Sequence, residues 1–293
     1  MKSHHQEHPM TAVAAVGFEK LGFDSVMPYL STIQEAAALG CRIDWGDAET
    51  MPNRRSAVFS DPEEFKMPED FLDRLPIKTV IDSIGMLRKK LGKSAIIIGK
   101  VMGPWTLSYH LRGLEDFLVE TKSEPEKVRE FPIKFMKITE KFAEAQLEVG
   151  ADIITLADHA TADLVSPETY KDFLLPVHKE INKNFPEGTF ILHCWGHTLD
   201  RIRFFSEAGF QIFHFDSKNE IKEAVEAAGA MKLTGCVNNL EILLKGTSHD
   251  VRRQVNDIID GGVKLISPEC AIPLRVQNEN LKEISDAVKG RSQ

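Results

Sequence analysis

The sequence predicts an α/β fold, specifically a (β/α)8 TIM barrel, from three observations. From residue 90 onward, short β-rich runs alternate with charged amphipathic stretches at a spacing that suits parallel strands joined by crossover helices. No linker rich in Pro, Gly or Ser cuts the chain. Its 293 residues, 42% of them hydrophobic, suffice for one large core. The chain is therefore read as a single barrel domain, 1–293.

Taken in order, a helix at 10–20 leads into a strand at 22–28, "GFDSVMP". The segment 41–60, "CRIDWGDAETMPNRRSAVFS", reads as a polar hairpin insertion and not as a barrel layer. The remaining strand runs are 95–101 "AIIIGKV", 151–157 "ADIITLA", 189–194 "TFILHC", 210–215 "FQIFHF", 231–236 "MKLTGC" and 263–267 "VKLIS". Helical patterns lie between them, notably 125–149 and 250–260, the latter stopped by the glycine pair at 261–262. That makes seven parallel strands where a closed barrel has eight. Either one strand escapes this reading, or the chain begins after the first strand, at a short N-terminus.

Composition narrows the function classes. A formal net charge of −8 and the lack of a Lys/Arg-dense block argue against a nucleic-acid surface or an anionic-membrane anchor. No run reaches the roughly 18 apolar residues of a membrane span, and "MKSHHQEHPM" carries no apolar signal core. A cytoplasmic location is the expectation. Four scattered cysteines, Cys41, Cys194, Cys236 and Cys270, are too few for a disulfide framework and are either core residues or ligating thiols.

In a parallel barrel the chemistry sits at the C-terminal ends of the strands. Those ends carry Trp105, Asp158 with His159, His193-Cys194-Trp195, Asp216, Cys236 with Asn238, and Glu269-Cys270. Two histidines, acids and three cysteines on one rim suit a divalent metal better than an anion. His193, Asp216, Cys236 and Cys270 form a candidate zinc set, since zinc takes imidazole, carboxylate and thiolate in fours. The bland reading of each cysteine is a small buried apolar group. Alternation along the strand turns Cys194 toward the helices when His193 faces the barrel mouth. Asp158 is either a substrate or proton contact or a helix N-cap; His159 and His197 are candidate substrate contacts or solvated loop residues.

The stretches "GADIITLADHATADLVSPETYKDFL", "ILHCWGHT", "LTGCVNN" and "ISPECAIP" resemble the uroporphyrinogen decarboxylase superfamily. The chain is more similar to its corrinoid-dependent methyltransferase branch, which includes methylcobamide:coenzyme M methyltransferases. The likeness covers roughly residues 10–288 and is strongest from 150 onward. It implies a zinc ion near the barrel mouth and a partner corrinoid protein that presents its cobalt there. In the thiol-methylating members the zinc motif is His-x-Cys, an acidic residue, then a distant cysteine. His193, Asp216 and Cys270 match these positions, Trp195 stands where the middle cysteine belongs, and Cys236 is the candidate replacement.

The expected activity is methyl transfer between the corrinoid and a small molecule. That molecule is either a thiol such as coenzyme M as acceptor or a methoxylated or methylated compound as donor. Asp158 and Asp216 are the candidate acids, and Trp105, His159, Trp195, His197 and Asn238 the candidate substrate contacts. A homodimer is left open as the assembly. The alternatives are a decarboxylase on the same fold and a barrel that binds a corrinoid protein without turnover.

Overall fold

The computed structural model describes residues 6–28, 31–47 and 50–291. The chain divides into two compact units, Met1–Val16 with Ser25–Asp158, and Gly17–Asp24 with His159–Gln293.

The first unit contains strands β1 (Ser25–Val26), β2 (Ile43–Asp44), β3 (Asn53–Arg54), β4 (Ile96–Met102) and β5 (Ile153–Ala157). β1 pairs in parallel with β4, and β4 in parallel with β5, with Ser25 opposite Ile96 and Ile98 opposite Ile153. β2 and β3 pair antiparallel within the 41–60 segment, of which residues 48–49 lie outside the described residues. The helix Pro125–Glu148 carries an apolar residue every three or four positions, so Phe131, Phe135, Ile138 and Phe142 line one buried face. Phe65 packs edge-on against Phe135, and Phe71 against Phe142. Gln146 fixes this helix to β4, its amide donating to the Lys100 carbonyl and accepting from the Lys100 N–H, both at 2.9 Å.

The second unit contributes β6 (Phe190–His193), β7 (Ile212–Phe215), β8 (Lys232–Val237) and β9 (Leu265–Pro268), all parallel. His193 lies opposite His214, Phe215 opposite Gly235, and Cys236 opposite Ser267. A helix follows each of these strands. That of Ser248–Asp260 opens on a reciprocal capping box between Thr247 and Asp250. It stops before Gly262, whose φ of +102° suits glycine.

The described residues thus hold seven parallel strands, at the positions read from the sequence. Among them no helix is long and apolar enough to cross a membrane.

Candidate active site at the strand ends of the second unit

Strand ends gather the polar side chains because the ladder stops there and loop amides need partners. At the end of β4 in the first unit, Gly103 N–H donates to the Ala157 carbonyl at 2.7 Å, and the chain turns at once into the helix Pro104–Arg112. The Asp158 carboxylate sits at the start of that helix. It accepts from Thr106 N–H at 2.7 Å, from the Thr106 hydroxyl at 2.8 Å and from Trp105 N–H at 3.3 Å. A side chain on Gly103 would run into Asp158, so this close approach is what glycine serves here. The structure thereby gives Asp158 a helix-capping role, one of its two sequence readings. Trp105 is fully buried, its indole edge-on to Phe117 at 4.7 Å, a core position.

The ends of β6 to β9 are laced by two more carboxylates. Asp216 Oδ2 accepts from Gly196 N–H at 3.1 Å and Oδ1 from Lys218 N–H at 2.7 Å, so one side chain fastens the loops after β6 and β7. Asn219 completes this lock, accepting from Thr198 N–H and donating to the Gly196 carbonyl. Glu269 does the same one strand on, accepting from Ser217 N–H and Asn239 N–H. Asn238 caps the turn after β8, its side-chain oxygen accepting from Leu240 and Glu241 N–H while its amide donates to Ser217 Oγ.

Within this frame the structure brings His193 and Cys270 together, Nε2 to Sγ 3.7 Å, from positions 77 residues apart in the chain. The His214 ring lies beside that of His193, with centroids 4.6 Å apart. Trp195, two residues beyond His193, is 40% exposed, and the Lys218 ammonium sits over its ring at 4.3 Å. Such a cation–π contact contributes about 0.5–1 kcal/mol when exposed. His197 is exposed and 3.5 Å from Asp163, and His159 is half-buried at the start of the next loop. Cys194 is buried.

Cys236 is buried, and its backbone φ is +56°. For a non-glycine residue this conformation costs on the order of 1–2 kcal/mol. Burial, and next the Glu269 and Asp216 carboxylates, push its thiol up to about 12, so it stays protonated in this environment.

A zinc ion bound tetrahedrally through imidazole and thiolate holds those two atoms about 3.6 Å apart, from bond lengths of about 2.0–2.1 and 2.3 Å. His193 and Cys270 match that edge. The other two corners have no such match: both Asp216 oxygens serve backbone amides, and Cys236 is a buried thiol. Among the described residues no cluster of three or more His, Cys, Asp or Glu side chains is gathered as a metal requires. The residues as placed supply two ligands and do not complete a four-ligand centre.

The sequence reading passed over several residues of this frame. His214 could have been found, because it stands two positions before Asp216 on a strand of period two and so shares its face. Lys218 and Asn219 lie in a loop with no periodic signal, and only the fold reveals their contacts.

A parallel strand–helix repeat with imidazole and thiol side chains at the strand ends defines an α/β enzyme scaffold of the TIM-barrel type. The family model of uroporphyrinogen decarboxylase (URO-D) matches residues 1–291, and the chain belongs to that family. It is 27% identical over 291 residues to the methylated-thiol–coenzyme M methyltransferase of Methanosarcina mazei, covering 98% of this chain and 78% of the relative. It is also 27% identical to the methylcobamide:CoM methyltransferase MtbA of Methanosarcina acetivorans, over 98% of this chain and 86% of the relative. A solved methyltransferase from Methanosarcina mazei superposes with a TM-score of 0.94 at 25% identity, over all of this chain and 88% of the other. The fold class and the methyltransferase branch expected from the sequence are those of these relatives.

Proposed function

We propose that the chain is a corrinoid-dependent methyltransferase that passes a methyl group from a methylcobamide to a small thiol at the ends of β6 to β9. The observation that carries this reading is the His193–Cys270 pair, held at 3.7 Å in a chain whose relatives, similar over 98% of it, are named as coenzyme M methyltransferases. The methylcobamide would be presented by a corrinoid protein, the partner to which those names point.

In the proposed reaction the thiol sulfur attacks the methyl carbon, the S–C bond forms as the Co–C bond breaks with its electron pair left on cobalt, and the thiol proton goes to a base. His193 is the proposed base, since an imidazole at a strand end can accept that proton near neutral pH. Cys270 is the proposed neighbour that holds the imidazole in place. Trp195 and Lys218 are proposed as the wall and rim of the substrate pocket, with His159 and His197 on loops beside it. Asp216 acts in this reading as a loop clamp that pre-organises the pocket, because its oxygens already serve backbone amides. No step is routed through zinc.

The test is a methyl-transfer assay with free methylcobalamin and a panel of small thiols, followed by the loss of methylcobalamin absorbance. Transfer by wild type that falls by about 100-fold or more in His193→Ala supports the proposal. Transfer unaffected by that substitution, or absent with every thiol, removes it.

A further inference from the structure

The strand β8 carries a distortion that the proposed reaction does not by itself require. Gly235 and Cys236 both have positive φ, +115° and +56°, yet their pairings with Phe215 and Ser267 on the neighbouring strands persist. A Cβ at position 235 would lie 2.6 Å from His214 Cδ2 and 2.5 Å from the Phe215 carbonyl oxygen. The distorted strand therefore leaves a notch, and the ring of His214 fills it.

The ring is held from two further sides. Its Nε2 donates to the Pro268 carbonyl at 2.8 Å and lies 3.3 Å from Ser267 Oγ, which is itself 3.4 Å from Thr234 Oγ1. Its face lies against His193, with centroids 4.6 Å apart and planes at 37°. Pro268 stands two residues before Cys270. His214 thus touches both halves of the pair: the His193 ring directly, and the Cys270 turn through the carbonyl of Pro268.

We infer that His214 is a positioning residue, one that sets the His193 ring against Cys270 by bridging the end of β9 to the end of β6. In this role it acts through His193. A left-handed residue next to a glycine notch is a costly way to seat a filler side chain, whereas strained backbone of this kind is found where geometry at a site must be fixed. The donor to Pro268 is what distinguishes histidine here from an apolar ring of similar size. The role concerns the same pair on which the proposed methyl transfer rests, but it can be read without turnover.

The experiment measures the rate at which Cys270 is carboxamidomethylated by iodoacetamide, at neutral pH, in chelator-treated full-length protein. The proteins are wild type, His214→Phe, His214→Gln, His193→Ala and the double variant His193→Ala/His214→Phe, each first checked for folding by its melting temperature. A positioning role predicts that His214→Phe changes the Cys270 rate about 10-fold, in the same direction as His193→Ala. It also predicts that His214→Gln, which keeps a donor for Pro268, restores at least part of the rate. In the His193→Ala background, His214→Phe should add nothing, because its effect passes through the missing ring.

A folded His214→Phe with the wild-type Cys270 rate overturns the inference, as do fully multiplicative effects in the double variant. If His214→Phe fails to fold, His214→Leu, which also lacks a donor for Pro268, carries the test: a rate shifted toward that of His193→Ala supports the role, and the wild-type rate overturns it. Loss of methyl transfer with every thiol, alongside the expected alkylation pattern, would remove the proposed reaction and leave the positioning role standing.

Discussion

Cys270 Sγ and His193 Nε2 lie 3.7 Å apart at the ends of β9 and β6, the separation that two ligands of one tetrahedral zinc ion would have. The residues as placed do not complete a four-ligand centre, and any zinc the protein does take up is expected to depend on these two side chains. Zinc titrated into His193→Ala or Cys270→Ser should bind at least about 10-fold more weakly than into wild type, and Cys194→Ser should be unchanged. Cys236→Ser is the discriminating variant. Unchanged zinc content is expected from its buried, protonated thiol, and loss of zinc would mean that Cys236 does replace the cysteine missing at Trp195. Elemental analysis and competition with a chromogenic chelator read both.

Asp216 is expected to show up in stability more than in chemistry. Asp216→Asn keeps the shape but leaves one acceptor oxygen for two backbone N–H groups, a loss of about 1–3 kcal/mol. At about 2–4 °C per kcal/mol for folding units of 150 residues or more, the melting temperature should fall by several degrees. Asp158→Asn should behave alike, since its carboxylate serves two amides and a hydroxyl at the helix start. A melting temperature equal to wild type in either variant would contradict the clamp role.

Lys218 over Trp195 gives the proposed substrate site a positive group with no carboxylate in ion-pair reach among the described residues. Lys218→Met should raise KM for a negatively charged thiol by about 5- to 10-fold, with kcat little changed, and should leave KM for an uncharged thiol as it is. Trp195→Ala should raise KM for both. Steady-state kinetics with one charged and one neutral thiol checks this, and equal KM shifts for the two thiols in Lys218→Met would contradict it.

Glu35 yields a pH prediction. Its buried carboxyl accepts from Met102 N–H at 2.8 Å, and desolvation raises its pKa despite that bond and the nearby Lys100 charge. A folded-state value above the unfolded one means that the stabilising contribution is full below the unfolded value and is lost as pH rises through the folded one. Glu35→Gln keeps an acceptor for Met102 and removes the titration. Its melting temperature should match wild type near pH 4 and exceed it by at least about 2 °C at pH 8. A gap that is widest at low pH would reverse the sign and refute the assignment.

The seven parallel strands were legible in the sequence because a strand's β-branched run and a helix's three-to-four-residue apolar spacing are local signals. Runs such as "AIIIGKV" and "TFILHC" carry them without help from the rest of the chain. The positions of His193, Asp216 and Cys270 at strand ends followed from the same reading. The resemblance placed these residues in the right family.

What those side chains do at the strand ends was decided by the fold alone. Asp216 looked like a ligand from its position, but its oxygens meet the amides of Gly196, 20 residues earlier, and Lys218, a pairing that no local pattern encodes. Trp105 is a candidate substrate contact by its position, and the fold buries it fully against Phe117. Cys236 acquires its positive φ, and His214 its seat, from three strands converging, and each of those contacts depends on register between distant segments. Sequence by itself determined which residues arrive at the strand ends; tertiary structure decided which of their atoms are already engaged there, because a hydrogen bond between distant segments exists only once the fold has brought donor and acceptor within about 3 Å.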